Sequence, residues 1–301
     1  MLEEIKIKSF ERDDRVNIKN FAREINHLDK LELSIPEQLF EYILSQPHLR
    51  ENIILAYHKE TLVAFAACIK NSQEGKEASF ELIVHPSYRN KRLGTMLYDN
   101  ISKKAKEYNV KVVTAFAKEH MKYSVKFLEN RGFQIHKYMW KMDCCLQDID
   151  YRAMPKGAYY IRRLTHEDIK NYVDIMNAGF KKEGDVLYNE NSFQILLSNP
   201  DEYVFFIVQQ GKVVATAAIG LQKDINRGYI HNVTVCRAYR GQGFGKIALT
   251  HCINKIKEAG LYKAALNVDG ENKNAMSLYE KIGFVEVDTD IMFKLELQYT
   301  I

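Results

Sequence analysis

The chain is 301 residues long, 46% hydrophobic and 27% charged, and its formal net charge of +4 is shared evenly between its halves. That is enough apolar material for two domain cores, too balanced a charge for a nucleic-acid-binding arm, and too polar for a membrane span, since no stretch approaches ~20 apolar residues. With no signal-like apolar segment after Met1-Leu2-Glu3-Glu4, the expectation is a cytoplasmic protein without membrane or nucleic-acid partners.

In the first half, residue patterning predicts strands at 5–10, 52–58, 61–70, 78–84, 111–117 and 138–142, and helices at about 16–26, 36–45, 93–108 and 123–130. The basic run Lys103, Lys104, Lys106 and Lys111 reads as a solvated helix face. Residues 147–157, polar and holding Pro155 and Gly157, read as a linker between domains 1–146 and 158–301. The second half continues with strands at 159–164, 203–209, 212–219, 229–235, 263–268 and 290–297, and helices at 168–180, 191–197, 245–258 and 274–281. Both halves repeat one order of elements, so the fold class is α/β (α+β), with a central mixed sheet flanked by helices in each.

The strand-like run Tyr229-Ile230-His231-Asn232-Val233-Thr234-Val235 is followed closely by Arg240-Gly241-Gln242-Gly243-Phe244-Gly245. Beyond it, Leu249, Cys252, Ile253 and Ile256 recur at helical spacing, so the glycines open the first turn of an amphipathic helix. The free N–H groups and positive dipole end of such a helix attract an anion, and residues without side chains let a diphosphate come close. Two rival phosphate motifs fail on residue identity. A dinucleotide fingerprint from Gly241 needs glycine or alanine where Lys246 stands, and a P-loop needs glycine at Arg240 and a hydroxyl at Ile247. By itself the loop is equally a structural turn.

A second motif follows the strand-like run 264–268: Asp269-Gly270-Glu271-Asn272-Lys273-Asn274-Ala275-Met276-Ser277-Leu278-Tyr279-Glu280-Lys281-Ile282-Gly283-Phe284. Asn272 sits where a helix N-cap belongs and Gly283 where a C′ glycine ends a helix. Tyr279 lies about two turns after Asn272, and from periodicity alone it is a core aromatic. Together the two segments resemble the R/Q-x-x-G-x-G/A loop and the N-x-x-A-x-x-L-Y-x-x-x-G-F helix of the GNAT superfamily of acetyltransferases, which use acetyl-CoA. The resemblance covers most of the second half and implies a mostly antiparallel sheet in each of two tandem GNAT-like domains.

The first half carries a weaker copy of both motifs. Arg89 and Arg240, Gly94 and Gly245, and Gly132 and Gly283 each lie 151 residues apart, which argues for duplication. Arg92 stands in place of Gly243, Met121 in place of Asn272 and Leu128 in place of Tyr279. Arg92 crowds the path of a diphosphate, Met121 supplies no amide and Leu128 no proton. Domain 1–146 is therefore expected to be degenerate and non-catalytic, with Arg89, Lys91 and Gly94 still available as phosphate contacts.

The resemblance implies acetyl-CoA as cosubstrate, no metal, and an N-acetyltransferase acting on a primary amine of a small molecule or peptide in domain 158–301. It places Val233, Val235, Arg240, Gly241, Gln242, Gly243, Phe244, Gly245, Lys246, Asn272 and Tyr279 around the cofactor. The Val233 N–H would stabilise charge on the thioester oxygen, Val235 would pair with the pantetheine arm, Asn272 would bond that arm, and Tyr279 would protonate the departing thiolate. His231 is the proposed base, set on the same strand face as Val233 by its spacing of two. It also reads as a histidine satisfied at a strand edge, and Glu183, Asp185 and Glu190 are alternative bases. The polar segment 181–190 is expected to shape the acceptor pocket. A non-catalytic acetyl-CoA sensor and a tRNA-dependent aminoacyl transferase are the competing functions. The five cysteines, an odd number without metal-ligand or disulfide spacing, suit a reducing compartment, and none is assigned to catalysis.

Overall fold

The computed structural model describes residues 4–31, 33, 37–45, 47–70, 76–146, 158–180, 190–193, 196–197 and 199–298. The chain separates into two compact units, 1–137 with 290–301, and 138–289. Unit 1 contains β1 (Ile5–Ser9), α1 (Asp14–Asp29), α2 (Glu37–Ser45), α3 (Pro47–Glu51), β2 (Ile53–His58), β3 (Thr61–Lys70), β4 (Glu77–Val84), α4 (Leu93–Glu107), β5 (Val112–Lys118) and α5 (Lys122–Glu129). After β6 (Gln134–Cys145), unit 2 is built from β7 (Tyr159–Arg163), α6 (Ile169–Phe180), β8 (Glu202–Gln209), β9 (Lys212–Gln222), β10 (Arg227–Val235), α7 (Phe244–Glu258), β11 (Lys263–Asp269) and α8 (Lys273–Ile282). The last strand is β12 (Val285–Glu296). The expected helix at 191–197 begins as a short 3₁₀ turn, Glu190–Phe193.

Strand order is β1-β2-β3-β4-β5-β12 in unit 1 and β6-β11-β10-β9-β8-β7 in unit 2. Within each unit one pair is parallel, β4 with β5 and β10 with β11, and the other described pairs are antiparallel. The closing strands are exchanged relative to the sequence division at 146 and 158. Met139–Cys145 of β6 pairs with β11, and Asp290–Glu296 of β12 pairs with β5. The divisions thus fall inside β6 and β12, and the expected linker 147–157 lies outside the described residues. Because the repeat offers a similar edge in each copy, alternation alone cannot tell which edge a closing strand joins. Met142 and Cys144 are buried with the unit 2 core, Ile291 and Phe293 with that of unit 1.

In unit 2 the sheet has a core on each face. On one, Leu249, Cys252, Ile253 and Ile256 of α7 are completely buried against Ala215, Ala217, Ile230 and Leu266. Burial of each of the three aliphatic side chains among them contributes about 1.5–3 kcal/mol relative to exposure. Contact there is close: a Cβ at Gly228 would stand 2.3 Å from Ile256, so only glycine lets α7 rest on β10. On the other face, Tyr172 and Met176 of α6 pack with Phe193, Val204, Phe206 and Ala218. Among the described residues no helix is long and apolar enough to cross a membrane.

Candidate active site

β10 makes an opening in unit 2 through two irregularities. It pairs with β11 only over Arg227↔Lys263, Gly228↔Ala264 and Tyr229↔Ala265, and beyond Tyr229 the strands part. On its other side it pairs with β9 up to His231↔Ala218 and resumes at Thr234↔Thr216, so β10 carries one residue more than its neighbour. This is a β-bulge, and Asn232 within it takes φ +54°. Asparagine is among the residues that tolerate that left-handed region. Asn232 and Val233 consequently stand outside both ladders.

The extra residue reverses the alternation of side chains. Ile230, Val233 and Val235 pack with the α7 core. His231 instead meets Glu202, and Thr234 lies against Gly179 and Met176 of α6. A spacing of two would put His231 and Val233 on one face in a regular strand, but the bulge sets them on opposite faces. Asn232 Nδ2 donates to the Tyr172 hydroxyl at 2.8 Å, tying the bulge to α6.

After Val235 a single 3₁₀ turn, Arg237–Tyr239, leads into the glycine loop. Gly241 has φ +76° and Gly243, the N-cap of α7, has φ +88°. A Cβ at Gly241 would meet nothing within 4 Å, so the loop is open on that side. The ladder of α7 begins with Ile247 N–H donating to Gly243 O at 3.1 Å, leaving the N–H groups of Phe244, Gly245 and Lys246 outside it. The Phe244 ring itself is buried and meets Tyr239 edge-on, so only its backbone faces a ligand. Arg240 Nε donates to Val235 O at 3.1 Å and Gln242 Nε2 to Ala238 O at 3.2 Å. Lys246 is exposed. Open backbone, free donors and two cations fit a diphosphate.

α8 completes the α7 side. Asn272 Oδ1 accepts from Ala275 N–H at 3.2 Å, which is the N-cap expected from sequence, while Gly283 at φ +109° ends the helix. Leu278 of α8 closes on Gly245, where a Cβ would stand 3.0 Å from its Cδ2, so these two motif residues touch. Tyr279 is buried, and burial pushes its phenol up to about 12, aided by the neighbouring Cys252 and Tyr229. It therefore keeps its proton throughout the neutral range.

The first copy keeps part of this geometry and lacks the rest. β4 and β5 pair from Glu77↔Val112 to Phe80↔Ala115 and then part. Asn90 and Arg92 take φ +59° and +63°, the conformations of Gly241 and Gly243, despite their side chains. β4, however, pairs with β3 without a bulge from Lys70↔Ala78 to Ala64↔Val84, so Glu81, opposite Ala67, occupies the register position of His231. Met121 gives α5 no side-chain cap and Leu128 is buried. Arg89 makes a two-pronged ion pair with Asp29 (Nη1 to Oδ1 3.0 Å), donates from Nε to Val84 O and lies 4.6 Å over the Tyr123 ring, whereas Arg240 has only its Nε engaged among the described residues.

Of the other expected site residues, 181–189 lie outside the described residues and Glu190 is exposed. Cys236 is half-buried, its Sγ 3.6 Å from Val213 O, and burial raises its thiol, as for an unreactive cysteine. No described group of three or more His, Cys, Asp or Glu could hold a metal ion. Sequence reasoning missed Glu202 and Tyr172. Both act across the sheet, so only strand register or helix docking brings them to β10. An asparagine inside a strand was the one local signal of the bulge.

The sequence profile of the acetyltransferase (GNAT) family matches residues 18–133 and again 169–284. A mycothiol acetyltransferase of Paenarthrobacter aurescens is 23% identical over 247 residues, covering 78% of this chain and 74% of that protein. An N-alpha-acetyltransferase of Arabidopsis thaliana is 32% identical over 83 residues, 27% of this chain and 44% of that protein. Among solved structures, a GCN5-related N-acetyltransferase from Sphaerobacter thermophilus superposes with a TM-score of 0.77 at 18% identity, covering 99% of this chain and 98% of that one. A tandem GNAT protein from the clavulanic acid biosynthesis pathway gives 0.76 at 13% identity, covering 99% and 100%. With both halves matched by the profile and the duplicated fold shared with a tandem relative, this chain is an acetyltransferase that belongs to the GNAT family.

Proposed function

We propose that unit 2 transfers the acetyl group of acetyl-CoA to a primary amine of a small molecule or peptide, and that unit 1 is non-catalytic. The observation that carries this reading is the bulged opening of β10, with a protonated phenol on one side and an imidazole on the other. The open glycines, the N–H groups of Phe244, Gly245 and Lys246, and the side chains of Arg240 and Lys246 would hold the diphosphate. Acetyl-CoA, when bound, supplies the acetyl group as an activated thioester.

The residues of this chain then have three tasks. An amine with a pKa near 10.4 is almost wholly protonated near neutrality, so His231, on the α6 face, takes its proton. The Val233 N–H, released from both ladders, donates to the oxygen on which charge develops. Tyr279, on the α7 face, gives its proton to the sulfur that leaves. His231 and Tyr279 thus act from opposite faces of the sheet, and the contribution of the bulge is to free the Val233 N–H and turn Val233 away from the His231 face. Asn272 spends its Oδ1 on the helix cap and keeps its amide N–H groups for the pantetheine arm.

Calorimetric titration with acetyl-CoA tests the reading, with Gly243→Arg as the control that copies the first unit's loop into the second. One site per chain, lost in the variant, supports it, and no binding at all overturns it. An amine screen follows. The named relatives make the acceptor of mycothiol acetyltransferase the first compound to try, followed by amino acids, polyamines, antibiotic amines and peptide N-termini.

A further inference from the structure

We infer that Glu202 is a positioning residue for His231, and that Gly220 exists to let it reach. Glu202 stands on β8 and His231 on β10, with β9 between them, so they are not neighbours in the sheet. Glu202 lies opposite Gly220 and His231 opposite Ala218, and both side chains cross β9 over these two small residues. Glu202 Oε2 and His231 Nε2 meet at 3.0 Å, and each side chain is less than a fifth exposed. A Cβ on Gly220 would stand 2.4 Å from Glu202 Oε1 and 3.1 Å from its Cδ, so the carboxylate occupies the space that any other residue would fill.

His231 is held on a second side as well. The Tyr229 ring stacks on it with centroids 5.8 Å apart and planes 22° apart. With a carboxylate at Nε2, the imidazole proton sits on Nε2 and the lone pair on Nδ1, which is the nitrogen left to accept a proton. Once Nδ1 takes the amine proton, the Nε2 N–H keeps its hydrogen bond to the carboxylate, so the ring holds its aim through the transfer. Glu202 thus fixes the tautomer and aims the ring without touching the acceptor. The inference rests on the proposed role of His231 as proton acceptor.

Nitrogen NMR of the histidine rings separates the two ideas, with the His231 signals identified by their loss in His231→Gln. In the wild type the neutral ring should carry its proton on Nε2, and in Glu202→Gln that preference should weaken, because an amide can either accept from or donate to the ring nitrogen. Glu202→Gln preserves shape, so its acetyl-CoA affinity should match the wild type, and Gly220→Ala should reproduce its NMR change by displacing the carboxylate. With an accepted amine, kcat should fall about 10-fold in Glu202→Gln while KM changes little, a fraction of the roughly 10²–10⁴-fold that a general base supplies. An unchanged tautomer in Glu202→Gln overturns the inference, as does a wild-type kcat in a variant whose tautomer preference has weakened. Full turnover by His231→Gln would instead overturn the assignment of the base.

Discussion

Asn232 Nδ2 donates to the Tyr172 hydroxyl at 2.8 Å, so a fully buried residue of α6 grips the one residue of β10 that is in the left-handed region. The grip keeps Val233 out of the ladders. Asn232→Val combines loss of this bond with a β-branched residue at φ +54°, where even ordinary side chains cost roughly 1–2 kcal/mol. The bulge should close or shift, and turnover should fall about 10²–10³-fold, as when an oxyanion donor is removed. Asn232→Gly tolerates the backbone and should lose far less. Tyr172→Phe, which leaves the amide unpaired, should cost about 1–2 kcal/mol of stability by denaturant titration. Wild-type turnover in Asn232→Val would remove the bulge from the mechanism.

Tyr279→Phe should lower turnover by about 10²-fold while acetyl-CoA affinity stays within a factor of two, because the ring still fills its place beside Phe284 and only the proton is lost. With the phenol raised to about 12, the wild-type rate should show no alkaline decline from this group below pH 10. Single-turnover measurement reads the chemical step directly. An unaltered chemical rate in the variant would end the general-acid assignment.

How much of this was legible beforehand depended on distance along the chain. The α7 stripe and both ends of α8 are local, set by helical spacing, a capping asparagine and a left-handed glycine, and they stand where the sequence put them. The edges that the closing strands β6 and β12 join are not legible this way, because a duplicated sequence offers two equivalent edges. Period-two alternation puts His231 and Val233 on one face only while no residue is inserted between them, and β10 inserts one. Even the constant repeat offset concealed this. In the register it holds from Thr234 onward, yet His231 occupies the position of Glu81, not that of Phe80.

The αL arginine of the first unit invites a reciprocal exchange. Arg92 holds φ +63° at the N-cap of α4, where Gly243 holds +88° at the N-cap of α7. Arg92→Gly should relieve strain and stabilise the protein by about 0.5–1 kcal/mol, part of the gain being lost to glycine's greater freedom when unfolded. Gly243→Arg should cost a similar amount and still fold, since the first unit tolerates the same residue in the same conformation. Thermal denaturation of both variants checks the signs. Destabilisation by Arg92→Gly would mean that the arginine side chain contributes more than its backbone costs.

His251 of α7 carries a stability prediction independent of the chemistry. Its Nε2 is buried without a partner among the described residues, and its ring meets Phe205 edge-on at 4.5 Å. Burial, with the repulsion of Lys255 one turn away, lowers its pKa from the usual 6.5 against a smaller opposing pull from Glu258. The unfolded chain therefore takes a proton near pH 6.5 that the folded one refuses until lower pH. Stability from this group is present above the unfolded pKa and is lost as pH falls from there through the folded pKa, below which the loss levels off. His251→Leu removes both the orphan nitrogen and the titration. At pH 7.5 its melting temperature should equal or exceed the wild type's, and the margin in its favour should widen at pH 5. A margin that does not change between those two pH values would show that His251 takes up its proton without unfolding pressure.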